Sequence, residues 1–364
     1  MIQNQKINFV FAGGGTGGHL FPALAVAEQL KLQLPNANIV FVGRKDKLEA
    51  RIVPQSGYEF KPIIVEGFYR NHAFKNIIVL IKLIIGLLQS LALCMKLKPA
   101  AIVATGGYIS GPVAIAGRIM GAKIILIEPN SYPGVTTRLL ERKADEIHLA
   151  FEDSKKYLHN KEKLFVTGNP VRSSLKLSDR GTACKHFNLN PDMQVLLVMG
   201  GSLGAKAFNG FIAEHVDDFK SNKIQVIWQT GKSGYEEFKK YASPVVFVTD
   251  FIDEIEMAFS AANLLMSRAG ATIVAEIASL GIPAVLIPSP NVAENHQYYN
   301  AKALESTNSA ILIQEKEMKS KLYDAIVSTI SNKEQLQVLS ANIKKLSNEK
   351  TSAIIAQRVV NLIS

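Results

Sequence analysis

Apolar and polar positions fall along this chain in blocks rather than residue by residue. Short apolar runs at Ile7–Ala12, Asn38–Val42, Ile63–Val65, Ala101–Ala104, Lys123–Ile127 and Glu146–Leu149 are separated by longer stretches with helical spacing. Runs this short and this continuous belong to strands buried on both faces. Their alternation with helices predicts an α/β fold with a parallel sheet. The pattern restarts at Val195–Met199 and continues through Gln225–Trp228, Val245–Val248, Leu264–Met266 and Ala284–Ile287. Two doubly wound, Rossmann-like domains are therefore expected, facing a cleft, with ligands at the carboxyl ends of the strands. The boundary is placed within Thr167–Arg172, giving domains of 1–166 and 167–345. A C-terminal helical segment at about 346–364 is expected to return to the first domain.

Within the second half, Asn263–Asn300 is the most informative stretch. Its strand Asn263–Met266 ends on Ser267-Arg268-Ala269-Gly270, a helix follows over Thr272–Leu280, and Gly281 stops it before the strand Ala284–Ile287. A small-residue turn into a helix offers backbone N–H groups and the positive end of the helix dipole, which suit a phosphate. Glu276 lies one turn into that helix, where its carboxylate could accept from a ribose diol. An ordinary β-α-β crossover with a solvated Glu276 has the same local pattern.

Glycine-rich strand exits recur at Gly13–His19, Thr105–Pro112 and Gly200–Gly204. None is a standard nucleotide motif. Gly17-Gly18-His19 stands where a P-loop needs Gly-Lys-Ser/Thr, and no acidic ribose partner follows the first loop, because the next strand ends Phe41-Val42-Gly43-Arg44. Gln229–Gly234 imitates a P-loop but has Val226 in place of its first glycine. His19, at a strand exit, is a structural hydrogen-bonder or a general base, since imidazole titrates near working pH.

Composition narrows the classes. The 364 residues include 41 Lys and Arg against 31 Asp and Glu, a formal charge of +10. That balance favours an anionic partner, and the absence of base-reading motifs or zinc-ligand spacings argues against nucleic acid. Cys94 and Cys184 imply neither a disulfide framework nor a metal site. The first residues lack a signal-peptide layout, which fits a cytoplasmic protein. Ile77–Met95 is nearly all apolar and as a helix would run roughly 28 Å. It reads as a membrane span, a helix buried nearly all round, or a helix docked on a bilayer surface between Arg70, His72, Lys75, Lys96 and Lys98.

Taken in order, Gly14-Gly15-Thr16-Gly17-Gly18-His19, Gly106-Gly107-Tyr108, Gly168-Asn169-Pro170-Val171-Arg172, Gly200-Gly201-Ser202, the Ser267–Glu276 segment and His296-Gln297 closely resemble the MurG family, the family 28 N-acetylglucosaminyltransferases of peptidoglycan synthesis. The resemblance spans essentially the whole chain. It implies the GT-B fold and inverting transfer of N-acetylglucosamine from UDP-N-acetylglucosamine to the 4-hydroxyl of undecaprenyl-pyrophosphoryl-MurNAc-pentapeptide (lipid I), giving lipid II. It implies no cofactor and no metal. Thr16, Gly17, Gly18, Tyr108, Glu128 and Asn130 would serve the sugar and acceptor side, with His19 as base or acceptor contact. Arg172, Gly201 and Ser202 would neutralise the diphosphate, and Ile252 would hold uracil through its backbone. Ala271, Thr272, Ile273 and Glu276 would cradle phosphate and ribose, and Gln297 would hold sugar hydroxyls. The expected setting is peripheral, on the cytoplasmic face of the bacterial inner membrane, docked on anionic lipid through Ile77–Met95, with a cell-wall assembly complex as a further partner. Where many relatives read His-Glu-Gln-Asn, this chain has Ile127-Glu128-Pro129-Asn130, and Pro129 removes an amide side chain and a backbone N–H. Transfer to another lipid acceptor, UDP-sugar epimerisation and sugar-nucleotide binding without catalysis are the alternatives.

Overall fold

In the computed structural model every ladder between assigned strands is parallel. The structure describes residues 7–67, 73–172, 175–201, 204–348 and 350–364. The chain divides into two units, Met1–Arg172 with Asn348–Ser364, and Ser173–Ser347. The division thus falls after Arg172, and the linker Thr167–Arg172 belongs to the first unit.

The first unit runs β1 (Asn8–Ala12), α1 (Gly17–Gln33), β2 (Asn38–Gly43), α2 (Glu49–Gln55), β3 (Glu59–Pro62), α3 (Ala73–Leu97), β4 (Ala101–Ala104), α4 (Gly107–Ile119), β5 (Lys123–Glu128), α5 (Val135–Leu140), β6 (Glu146–Leu149) and β7 (Leu164–Val166). Its seven strands lie in the order β3-β2-β1-β4-β5-β6-β7. Both faces are covered, which is why the strands read as unbroken apolar runs. On β1, Phe9 and Phe11 pack into one core, with Leu20, Ala23 and Leu30 of α1. Val10 and Ala12 point to the other, with Cys94 of α3 and Ile109 and Val113 of α4.

The second unit runs α6 (Arg180–His186), β8 (Gln194–Met199), α7 (Lys206–Ser221), β9 (Ile224–Gln229), α8 (Lys232–Phe238), β10 (Val246–Thr249), α9 (Ile255–Ala261), β11 (Leu264–Ser267), α10 (Ala271–Leu280), β12 (Ala284–Leu286), α11 (His296–Ser306), β13 (Ile311–Leu312), α12 (Met318–Ser331) and α13 (Lys333–Lys344). Its sheet has the order β10-β9-β8-β11-β12-β13. Leu196, Val198, Val226 and Trp228 form one core with Phe208 and Ile212 of α7 and Leu322 and Ile326 of α12. Val195 and Leu197, equally buried, face the opposite side.

Ile63–Val65 is not a strand. The strand is Glu59–Pro62, an edge strand whose polar residues concealed it. Ile63 and Val65 are apolar because they are buried in the core that α3 also covers. There the Ile64 amide donates to Gln89 at 2.7 Å, and a Cβ on Gly86 would lie 2.5 Å from Val65. From Lys333 onward the chain forms two helices. α13 stays with the second unit, while the last helix, α14 (Thr351–Ile363), lies in the first.

α14 is held at its buried face and at one ion pair. Ile355, Ala356 and Val359 sit in the core with α1, each larger side chain contributing about 1.5–3 kcal/mol. The Arg358 guanidinium donates twice to the Glu146 carboxylate, at 2.7 and 2.6 Å, and lies 3.5 Å above the Phe165 ring. Glu146 is largely buried, and although burial raises its pKa, the adjacent His148 ring and the hydrogen bonds from Arg358 outweigh that and hold it low. Arg358→Ala strands this carboxylate and removes the stacking. It is expected to destabilise the protein by about 2 kcal/mol in urea denaturation; an unmoved midpoint would assign the pair no role in docking α14.

Candidate active site

In each unit the parallel sheet brings all strand exits to one edge, and the polar loops gather there. In the first unit, β1 leaves through Gly13–Thr16, with Gly15 at φ 82°. A Cβ on Gly13 would overlap Thr105 Oγ1 at 1.8 Å, so glycine is required for this loop to pass β4. Thr105 grips the loop's far end: its hydroxyl donates to the His19 carbonyl at 2.5 Å, and its carbonyl lies 2.7 Å from His19 Nδ1. A carbonyl only accepts, so Nδ1 carries the proton and Nε2 is the basic nitrogen of the neutral ring. The imidazole packs against Gly106 and Gly107, where a Cβ would come within 2.9 and 3.4 Å of ring atoms.

Tyr108 follows those glycines, its hydroxyl 3.5 Å from where a Gly15 Cβ would stand. The loop after β5 is organised by Glu128. Its buried carboxylate accepts from the Asn130 backbone and side chain at 3.0 and 3.1 Å, from Gly134 N at 2.9 Å and from Thr137 Oγ1 at 2.6 Å. Burial pushes this carboxyl upward, and those donors offset part of the shift. Glu128 thus scaffolds the turn that presents Asn130, across the backbone N–H missing at Pro129. The Thr136 hydroxyl ties this loop to Gly107 at 3.0 Å. Arg172, the last residue of the first unit's long segment, has its guanidinium 5.2 Å above the Phe21 ring.

In the second unit α10 begins directly beyond β11. Gly270 is its N-cap, and the first intrahelical bond is Val274 N to Gly270 O at 3.0 Å. The Thr272 and Ile273 amides therefore have no intrahelical acceptor. Thr272 Oγ1 is buried with no hydrogen-bond partner among the described residues. A buried hydroxyl left unsatisfied beside unspent amides is the local signature of an anion site. Glu276 is half-buried one turn further on. Gly281, at φ 72°, closes the helix as the sequence implied.

The surrounding loops are braced by buried and half-buried side chains. Gln229, at the end of β9, donates to the Gly201 carbonyl at 3.0 Å and accepts from the Ile252 amide at 3.0 Å. The Ile252 carbonyl, not its amide, is thus the group left for a ligand. Gln297 Oε1 accepts from Ser289 N at 2.9 Å, which directs its NH₂ elsewhere. Arg268 donates to the Ile287 and Pro288 carbonyls at 3.2 and 3.3 Å, pairs with Glu315 at 2.5 Å and lies over Phe208 at 4.5 Å. Ser202 lies outside the described residues. Sequence reasoning missed Gln229, Arg268 and, in the first unit, Glu49; only their positions at strand ends or a helix start could have flagged them. Among the described residues no cluster of His, Cys, Asp or Glu could hold a metal ion.

Comparison with known proteins also matches the chain in two parts. Residues 9–149 match the glycosyltransferase family 28 N-terminal domain and residues 195–358 its C-terminal domain. The chain is 38% identical over 362 residues to a protein of Flavobacterium psychrophilum, covering 99% of this chain and 98% of that one. It is 40% identical over 365 residues to one of Phocaeicola vulgatus, covering 98% and 97%. Both carry the name UDP-N-acetylglucosamine–N-acetylmuramyl-(pentapeptide) pyrophosphoryl-undecaprenol N-acetylglucosamine transferase. The crystal structure of Acinetobacter baumannii MurG superposes with a TM-score of 0.75 at 25% identity, covering 98% of this chain and 99% of that one. With relatives this similar along its full length, the chain belongs to glycosyltransferase family 28.

Proposed function

We propose that this enzyme transfers N-acetylglucosamine from UDP-N-acetylglucosamine to the 4-hydroxyl of undecaprenyl-pyrophosphoryl-MurNAc-pentapeptide, with inversion at the anomeric carbon. The observation that carries this reading is the start of α10, together with the names of relatives matched end to end. In a single displacement the acceptor oxygen attacks the anomeric carbon, loses its proton to a base, and UDP departs with the bonding electrons. The departing diphosphate gains negative charge, which the Thr272 and Ile273 amides and the positive end of α10 would stabilise without reorganising. Glu276 would accept from the ribose hydroxyls, and the Ile252 carbonyl would accept from the uracil N3–H. In the first unit, His19 Nε2 is the candidate base, with Tyr108 and Asn130 beside the acceptor sugar.

The polyprenyl acceptor gives α3 a purpose. Val79, Gly86, Ser90 and Cys94 face the core, whereas Ile77, Ile81, Ile84, Leu88 and Met95 are 54–60% exposed. Those five recur at helical spacing and form one apolar stripe. The helix is therefore not buried all round. An exposed apolar stripe with Lys96 and Lys98 at its end suits docking on an anionic leaflet. Arg70 and His72 lie outside the described residues. The proposed location is the cytoplasmic face of the inner membrane, held peripherally.

UDP release from UDP-N-acetylglucosamine, measured with and without a lipid I analogue, tests the reaction. Release should require the analogue and yield a disaccharide product; release without any acceptor would instead indicate epimerase-like or hydrolytic chemistry. Glu276→Ala is expected to weaken UDP-N-acetylglucosamine binding roughly 10- to 100-fold in calorimetry, the loss of a charged hydrogen-bond acceptor, with folding intact. Unaltered affinity would take Glu276 out of the donor site. Replacing Ile84 and Leu88 by Glu should cut co-sedimentation with phosphatidylglycerol-containing vesicles by about tenfold or more, while turnover of a soluble short-chain acceptor is retained. Equal vesicle binding by this double variant would move the docking surface off α3.

A further inference from the structure

We propose that Glu49 is a positioning residue for acceptor turnover, setting the conformation of the Gly13–His19 loop from beneath. It stands in the first turn of α2 and is 1% exposed. One carboxylate oxygen accepts from Gly15 N at 2.9 Å and the other from Arg44 N at 3.0 Å. Glu49 thereby joins the loops that leave β1 and β2. Both neighbouring glycines are shaped around it. A Cβ on Gly14 would lie 2.5 Å from the carboxylate carbon, and one on Gly43 would lie 2.4 Å from Glu49 Cγ. Among the described residues no cationic side chain lies within ion-pair distance of this buried carboxylate. A charge removed from water without a counter-ion is retained against its own desolvation, and here backbone amides alone compensate it.

The pattern of partners explains why a carboxylate stands there. Both neighbours are N–H donors, and only a carboxylate presents two acceptors. A glutamine would turn its NH₂ toward one of them. With Gly15 at φ 82°, its amide points inward to Glu49, and the chain leaves toward Thr16, the N-cap of α1, and so toward His19. The loop is thus fastened twice, by Glu49 at Gly15 and by Thr105 at His19. Loss of the first fastening leaves Thr16, Gly17 and Gly18 free to shift relative to the imidazole. A displacement near 1 Å at a reacting group is enough to cost about 100-fold in rate.

This inference rests on the proposed transfer reaction for its kinetic readout, so a second readout is taken from the loop itself. Full-length Glu49→Gln and Glu49→Asp are compared with the unmodified enzyme. Glu49→Gln should lower kcat/KM for the lipid I analogue by roughly tenfold or more and leave KM for UDP-N-acetylglucosamine within about twofold. Glu49→Asp, which keeps two acceptors on a shorter stem, should fall between. Amide hydrogen exchange in the peptide covering Gly13–Leu20 should be faster in Glu49→Gln than in the unmodified enzyme. Acceptor kinetics matching the unmodified enzyme, equal losses for donor and acceptor, or unchanged exchange in this peptide would each overturn the proposal. Should Glu49→Gln not fold, Glu49→Asp carries the same acceptor-against-donor comparison. If the unmodified enzyme transfers no sugar, the transfer reading falls, and exchange still decides whether Glu49 holds the loop.

Discussion

The parallel ladder is the constraint on which the rest depends. Strands that all run one way need both faces covered and deliver every carboxyl end to one edge. In the first unit this brings Gly13–Thr16, Thr105–Gly107 and the turn after Glu128 to the same side of one sheet. In the second it aligns the exits of β8, β9, β10 and β11 in the same way. No long-range folding device is needed to assemble a site, because the hydrogen-bond direction already does so. What remains is to hold the loops still.

Buried polar side chains do that, and they share one logic. Glu49, Glu128 and Gln229 each bind backbone groups of loops at strand exits, and each is positioned by an element rather than by another loop. A side chain anchored at a strand end or in a helix loses little further freedom when it binds, so the entropy of ordering falls mainly on the loop. The two units reach the same end with different chemistry. Glu49 meets two donors and so must be an all-acceptor carboxylate. Gln229 meets one carbonyl and one amide, and so must be an amide.

These braces mark the limit of what could be read beforehand. The α/β class, the restart of the pattern, the α10 helix and its stop at Gly281 were legible because burial on both faces writes continuous apolar runs, and because a left-handed C-cap selects glycine. The edge strand Glu59–Pro62 was not, since an exposed edge carries no apolar signal, and the buried run at Ile63–Val65 drew the assignment onto itself. The positions of His19 and Tyr108 beside strand exits followed from the loops, and that of Glu276 from the helix that follows one. The braces did not, because a lone Glu or Gln has no periodicity, and its worth depends on amides contributed by distant residues.

Under the proposed membrane docking, the α3 helix would satisfy two environments at once. Its inward face, through Val79, Gly86, Ser90 and Cys94, is committed to the first sheet and to the segment that crosses it at Ile64 and Val65. Its outward stripe is apolar enough that composition alone would permit a span of the bilayer. Spanning, however, would withdraw Val79 and Cys94 from the core and expose the apolar surface beneath, at about 1.5–3 kcal/mol for each large side chain lost. It would also strand the Ile64 amide that Gln89 now satisfies. Lying along the surface keeps all of these contacts and still buries the outward stripe. If α3 meets a membrane as proposed, the packing of its inner face therefore favours a peripheral arrangement over a span.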